Sequence, residues 1–132
     1  MTDEKTYKPD DHSDVSIYMM ASDAAAVIDF ARAVFSAEEL MRLTYDDGSI
    51  RHAEIRIGDS VVMISQGTQA YSAFPVWLHV YVPDVDKTYE TALRYGAISV
   101  QEPMKKEDPD KRAGVRDSSG NIWWIATHTG SE

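Results

Sequence analysis

Apolar and polar positions along this chain follow first a strand period, then a helical one, then a strand period again. Such switches predict a strand, a helix and three further strands, the last three joined by tight turns. These elements lie, in order, at "VSIYMM" (15–20), "SDAAAVIDFARAVFSA" (22–37, capped by Asp23 or Ser22), "LMRLTY" (40–45), "IRHAEIRI" (50–57) and "SVVMIS" (60–65).

The same order of elements starts again after a linker of small and polar residues. A helix is expected between the cap at Asp84 and the closing Gly96, and Gly120 supplies the geometry of the last hairpin turn. The segment "MKKEDPDKR" (104–112) is charged and contains a proline, so we expect an exposed loop that flanks or covers a site. The strands of this half are predicted at "VWLHVYV" (76–82), "AISVQEP" (97–103), "AGVRD" (113–117) and "IWWIATH" (122–128).

The two halves form an internal repeat of element order, which predicts one α+β domain built from two βαβββ modules. Each half has one helix for one face of its sheet, so the other faces can curl together into a half-open mixed β-barrel with the helices on the convex face. The expected segments are a flexible acidic tail (1–14), one domain (15–128) made of module one (15–66), a linker (67–75) and module two (76–128), and a C-terminal tail (129–132).

Two adjacent tryptophans, Trp123 and Trp124, show how strand alternation divides the side chains between the two faces. Successive strand residues point to opposite faces, so only one ring can enter the core. We expect Trp123 to pack with the helices and Trp124 to face the concave side. By the same alternation, the helix side receives Ile17, Met19, Ala53, Ile55, Ile57, Val62, Ile64, Leu78, Val80, Val82 and Ile125, and the concave side receives Ser16, Tyr18, Met20, His52, Glu54, Arg56, Val61, Met63, Ser65, Trp77, His79, Tyr81, Ala126 and His128.

Charge and composition narrow the classes of partner. The 132 residues include 13 basic and 22 acidic ones, a formal net charge of −9, which favours neutral or cationic ligands and disfavours nucleic acid. The polar start of the chain lacks the apolar run of a signal peptide, and no stretch is long and apolar enough to span a membrane. With no cysteine in the sequence, we expect a cytoplasmic protein with neither a nucleic-acid nor a membrane partner.

Four segments, in this order and at these separations, resemble the vicinal oxygen chelate superfamily: "DAAAVIDFARAVF", "RHAEIRIGDSVVMIS", "LHVYVPDVD" and "VRDSSGNIWWIATH". That superfamily contains glyoxalase I, extradiol dioxygenases and bleomycin-resistance proteins, and the resemblance is greatest to its glyoxalase-like branch named for a phosphonate operon. It covers residues 15 to 128. The resemblance implies paired βαβββ modules, a half-open barrel and a homodimer.

Enzymes of this superfamily hold a divalent metal with His, Gln and Glu side chains from the first and last strands of each module. Carried over by position, these four sites fall on Tyr18, Met63, Trp77 and Trp124. None is a ligand that a hard or borderline cation prefers, and a shift of two residues would bring in only His79. We therefore expect neither a metal in the usual place nor another cofactor.

Rings and a few polar groups remain as the candidate ligand site. Trp77 and Trp124 would stack on a small aromatic or cationic molecule while His79, Glu54 and Tyr18 orient it, and Met63 lines the same face. The residues also allow structural roles: bulky side chains fill a barrel, a histidine joins a polar patch or subunit interface, and His52, Glu54 and Arg56 form an ion-pair row rather than a metal site.

Three functions stay open on these residues. The leading hypothesis is a metal-free, dimeric binding protein with a small organic ligand in its concave groove. A second is an enzyme on a small carbonyl or epoxide-like substrate, with His79 and Glu54 dividing acid and base roles. The third is a structural or regulatory dimer with a filled barrel.

Overall fold

A computed structural model of the protein describes residues 7–130, and its elements follow the predicted βαβββ order twice. The first module contains β1 (Ile17–Ala21), α1 (Ala24–Phe35), β2 (Glu38–Thr44), β3 (Ile50–Ile57) and β4 (Ser60–Gln66), and the second contains β5 (Trp77–Tyr81), α2 (Val85–Arg94), β6 (Ile98–Lys105), β7 (Asp110–Arg116) and β8 (Ile122–His128).

Each module folds into its own four-stranded mixed sheet. The strand orders are β1-β4-β3-β2 and β5-β8-β7-β6. In both sheets the first strand pairs in parallel with the last strand of its module, and the remaining pairs are antiparallel. The sheets do not close into a barrel over residues 7–130, which confirms the α+β class and the half-open arrangement.

Both helices begin at the predicted caps. The Asp23 carboxylate accepts a hydrogen bond from the Ala26 backbone N–H at 3.1 Å, and Asp84 accepts one from Lys87 N–H at 3.2 Å. Each cap satisfies a backbone donor that has no partner within its helix. The apolar side of α1, with Val27, Ile28 and Ala31 fully buried, packs against the first sheet.

The two modules share one hydrophobic core, in which Trp123 of β8 is completely buried. Its ring lies 6.0 Å from that of Phe30 and 5.1 Å from that of Phe35, both from α1 of the other module. Helix α1 thus covers its own sheet and also contacts the second one. The faces opposite this core are the open faces of the two sheets.

The prediction that "MKKEDPDKR" (104–112) forms an exposed loop was wrong at both ends of the segment. Strand β6 passes through Pro103 and continues to Lys105, and β7 already begins at Asp110. β6 is an edge strand with shifts in its pairing register, and a proline is tolerated there because its missing N–H need not join a ladder. Asp110 is only 5% exposed, so this charged segment also contributes a buried carboxylate.

The exposure of Ile17 and of Val61 differs from what their predicted faces suggest. Ile17, expected under α1, is 43% exposed, whereas Val61, expected on the open face, is 6% exposed. Ile17 begins an edge strand, where only one neighbouring strand screens it from solvent. Both faces of β4 are apolar in sequence, so alternation alone could not decide the environment of Val61.

No helix within residues 7–130 has the length and apolar character needed to cross a membrane.

Candidate functional site

A cavity of about 500 Å³ lies on the open face of the second sheet. Trp77 and His79 of β5 and Trp124 of β8 line it together with Gln101 and Met104 of β6. The charged residues around it are Lys106, Asp108, Asp110 and Arg112. The cavity therefore combines aromatic side chains on two parallel strands with a charged border.

The two tryptophans on this face lie close together. Their ring centroids are 5.5 Å apart with the planes inclined by 67°. The edge of one indole ring therefore points toward the plane of the other. Trp77 is 72% exposed and Trp124 is half-buried. Trp123, the neighbour of Trp124, lies in the core, so the adjacent tryptophans divide between the faces as alternation predicted.

Gly114 of β7 leaves the space that the Trp124 ring occupies. The two residues are directly paired across β7 and β8. A Cβ at position 114 would lie 2.6 Å from Cζ3 and 2.8 Å from Cε3 of Trp124, closer than side-chain atoms pack. The ring can lie against the β7 backbone only because this residue has no side chain.

Asp110 organises the charged border of the cavity. Its carboxylate accepts hydrogen bonds from the Tyr81 hydroxyl at 2.7 Å and from His128 Nδ1 at 2.7 Å. It also accepts one from Arg112 at 3.0 Å, and Arg112 further donates to Asp108 at 2.9 Å. The hydrogen bonds from Tyr81 and His128 lower the pKa of Asp110, so this buried carboxyl is ionised and held by three donors.

His79 is tied to this group through Arg112, whose Nε–H donates to the His79 Nε2 atom at 3.1 Å. The ring of His79 also contacts that of Tyr81, with centroids 4.8 Å apart. Burial lowers the pKa of His79, and the positive charge of Arg112 lowers it further. Both effects favour the neutral imidazole beside the two tryptophans.

A second polar group lies on the open face of the first sheet. The Tyr18 hydroxyl lies 2.9 Å from the Ser65 hydroxyl and 3.3 Å from His52 Nδ1. His52 Nε2 lies 2.9 Å from Glu54, and His12 Nε2 lies 2.6 Å from the other Glu54 oxygen. These five residues form one hydrogen-bonded chain.

Glu54 is the charged centre of that chain. Burial raises the pKa of its carboxyl, but the hydrogen bonds from His52 and His12 outweigh this effect and leave a net lowering. Arg56, expected to complete an ion-pair row with it, instead contacts Glu38 at 2.6 Å and Asp11 at 3.3 Å. Residues before β1 therefore contact the first sheet through His12 and Asp11.

The six predicted site residues fall into two groups. The cavity brings together Trp77, His79 and Trp124. Tyr18, Glu54 and Met63 lie on the first sheet, where Met63 is paired with both of the others across neighbouring strands. Glu54 bonds to His12 and His52 of the same chain. It does not contact His79, the residue with which it was expected to divide the acid and base roles.

Among the residues that the sequence reasoning missed are Asp110 and Arg112, which line the cavity, and Gly114, against which the Trp124 ring packs. Arg112 and Asp110 lie in the charged segment taken for a loop, and Gly114 follows two positions later. The sequence offered one indication of them, because the charged segment 104–112 was expected to flank a site. Their individual roles depend on cross-strand neighbours, which the local pattern does not specify.

The residues at the superfamily's metal positions do not fit a metal. Cross-strand pairing joins Tyr18 to Met63 in one sheet and His79 to Trp124 in the other, so His79, rather than Trp77, is the counterpart of Tyr18. Of these four, the tryptophan has no lone pair to offer, and thioether and phenol are poor ligands for hard or borderline divalent cations. Among residues 7–130, no group of three or more His, Cys, Asp or Glu side chains has an arrangement that could hold a metal ion.

No protein-family model matches the chain. Among curated proteins it is similar to the uncharacterized protein Mb0911c of Mycobacterium bovis, with 32% identity over 120 residues, covering 83% of this chain and 79% of that protein. It is equally similar to the uncharacterized protein Rv0887c of Mycobacterium tuberculosis, with 32% identity over 120 residues and 71% of that protein covered.

Solved structures share the fold. TioX from Micromonospora sp. ML1 superimposes with a TM-score of 0.74 and 26% identity, covering 88% of this chain and 98% of that one. A glyoxalase/bleomycin resistance protein/dioxygenase family enzyme from Burkholderia phytofirmans PsJN gives 0.66 and 21%, covering 86% and 95%. The fosfomycin resistance protein FosX from Mesorhizobium loti gives 0.64 and 19%, covering 90% and 92%.

Proposed function

The chain belongs to the vicinal oxygen chelate superfamily of glyoxalases, bleomycin-resistance proteins and dioxygenases, and from that premise we propose that it binds a small aromatic or cationic organic molecule without a resident metal. The ligand would occupy the cavity of the second sheet. In this proposal Trp77 and Trp124 supply the stacking surfaces, and His79 orients the ligand.

The observation that carries the proposal is the pair of tryptophans on an open cavity of about 500 Å³. A volume of this size suits a drug-sized molecule, and aromatic walls with a few polar groups are typical of such sites. Trp77 is 72% exposed, although burying an indole ring is strongly favourable. A flat ligand would cover this ring. The open cavity favours binding over the hypothesis of a filled barrel.

The charges around the cavity are largely paired with one another. Arg112 is bonded to Asp108 and Asp110, and the Lys106 ammonium donates to the Gln101 side chain at 3.2 Å. A cationic ligand would therefore be attracted mainly by the ring faces and by the net charge of −9, rather than by a free carboxylate in the cavity.

Removing one ring tests this function. We expect Trp77→Ala to weaken binding of quinoline and of N-methylquinolinium by about tenfold, because roughly 1.4 kcal/mol of stacking and burial is lost. Isothermal titration calorimetry measures both affinities. Tyr95→Ala is the matched control, since Tyr95 is an exposed aromatic residue at the end of α2 and outside the cavity. If neither probe binds the wild-type protein, or if Trp77→Ala binds both equally well, the proposal is wrong.

We further propose that the protein is a cytoplasmic homodimer. The open faces expose large apolar side chains, among them Tyr18, Trp77 and Tyr81. Exposed aromatic groups of this kind are enriched at protein interfaces. Light scattering coupled to size-exclusion chromatography should give twice the chain mass, and a monomer at micromolar concentration would contradict the assembly but not the ligand site.

A further inference from the structure

We infer that the cavity selects neutral aromatic ligands that carry a hydrogen-bond acceptor, because His79 presents an N–H donor beside the two tryptophan rings. The inference rests on the proposed function and specifies the ligand class of that same site. It follows from which atoms around the cavity are already hydrogen-bonded and which are not.

The tautomer of His79 is decided by Arg112. The guanidinium Nε always carries a hydrogen, so its contact with His79 Nε2 at 3.1 Å requires a lone pair on Nε2. A neutral imidazole with a lone pair on Nε2 has its proton on Nδ1. No residue between 7 and 130 is bonded to Nδ1, so this N–H is left for a ligand or for water.

Arg112 is itself fixed in place. Its two terminal nitrogens bind Asp108 and Asp110 at 2.9 and 3.0 Å, and Asp110 is buried. The remaining oxygen of Asp110 accepts the hydrogen bond from His128. Asp110 and Arg112 are thus positioning residues, which act on the ligand only through the orientation and tautomer of His79.

The side chains of Gln101 and Lys106, which also line the cavity, already have protein partners. Gln101 donates to the Arg112 carbonyl at 3.0 Å and accepts from Lys106 at 3.2 Å. The indole N–H groups of Trp77 and Trp124 have no bonded partner within the part of the chain that the structure describes. The three rings of the cavity therefore offer donors, and a ligand that offers acceptors complements them.

Of the two ligand classes in the proposed function, the cationic one is therefore the poorer match to the hydrogen-bond donors of this cavity. The Nδ1–H of His79 and the guanidinium of Arg112 both oppose positive charge near the imidazole, and a ligand N–H would meet the His79 N–H group. A ring nitrogen or a carbonyl oxygen beside an aromatic plane would instead accept the hydrogen bond while its ring stacks. Carbonyl-bearing or nitrogen-containing bicyclic molecules have this chemistry.

Quinoline and naphthalene test the assignment, because they have nearly the same shape and differ by one ring nitrogen. At about pH 8, where quinoline and His79 are both neutral, we expect quinoline to bind about two- to tenfold more tightly in calorimetric titrations, the ratio that one hydrogen bond provides. In His79→Phe this preference should disappear while naphthalene binding persists. His52→Phe, which replaces a histidine of the other sheet, is the matched control and should keep the preference.

Nitrogen-15 NMR of the imidazole groups gives a readout that does not depend on any ligand. We expect His79 to show a protonated Nδ1 and an unprotonated Nε2, and Arg112→Met to restore a mixture of both tautomers. A proton on Nε2 in the wild type, or equal binding of the two probes, would overturn the assignment and leave the proposed function standing. If neither probe binds, the proposed function fails and this assignment fails with it.

Discussion

At the scale of single residues, the shape of the cavity depends on Gly114, a residue without a side chain, as well as on the aromatic residues that line it. Trp124 lies against the β7 backbone because Gly114, its cross-strand partner, has no Cβ. In most β-strands a glycine weakens the sheet, since it brings a larger entropy cost and no side chain to pack. Here a glycine is required, because any side chain at position 114 would collide with the Trp124 ring.

Gly114→Ala should therefore disturb the site. The added methyl group would meet the Trp124 ring at 2.6 Å, so we expect a loss of about 1–3 kcal/mol in the free energy of unfolding and weaker quinoline binding. Urea denaturation and calorimetry measure the two effects. The control is a double-mutant cycle with Trp124→Leu, in which the alanine should cost less because the ring is gone. Equal costs in both backgrounds would contradict the proposed steric conflict.

At the scale of elements, the β7–β8 hairpin is held by a buried carboxylate. Asp117 is 6% exposed and accepts hydrogen bonds from the indole N–H of Trp123 at 2.8 Å and from the backbone of Asn121 at 3.0 Å. Asn121 in turn accepts a hydrogen bond from the N–H of Val76, just before β5, at 2.9 Å. The turn thus fixes the strand that carries Trp124 relative to the strand that carries Trp77.

Asp117→Ala would leave the buried N–H of Trp123 without an acceptor. We expect the free energy of unfolding to fall by about 3 kcal/mol, measured by chemical denaturation, since an unsatisfied buried donor retains its full desolvation cost. The corresponding turn of the first module provides the control. Asp59 is exposed there and, within residues 7–130, its side chain bonds only to the neighbouring Ser60 hydroxyl, so Asp59→Ala should cost less than about 0.5 kcal/mol. Similar losses of stability in both variants would show that the buried hydrogen bonds of Asp117 do not stabilise the protein more than those of an exposed turn.

At the scale of the whole molecule, the two modules share a common core, so we expect them to unfold as one unit. Phe30 and Phe35 from module one surround Trp123 from module two. All three tryptophans lie in module two, at positions 77, 123 and 124. Tryptophan fluorescence therefore reports on module two even when the change is made in module one.

Phe30→Ala should shift the unfolding transition seen by tryptophan fluorescence, although it alters only α1. Replacing a buried phenylalanine by alanine lowers the free energy of unfolding by about 3–5 kcal/mol. Because the two modules share one core, both should unfold in a single cooperative transition at the lower stability. Phe74→Ala is the control, because Phe74 is largely exposed in the linker and should change stability little. Two separate transitions, or an unchanged tryptophan transition, would show that the modules unfold independently.

The sequence by itself determined the order of elements, the helix caps at Asp23 and Asp84, and the division of Trp123 and Trp124 between two faces. These features follow from backbone periodicity and capping, which act over a few residues. Only the tertiary structure decided that Asp110 is buried, that Gly114 accommodates Trp124, and that Arg112 sets the tautomer of His79. Those relations join residues on different strands, and their partners are fixed by cross-strand register, which no local pattern contains.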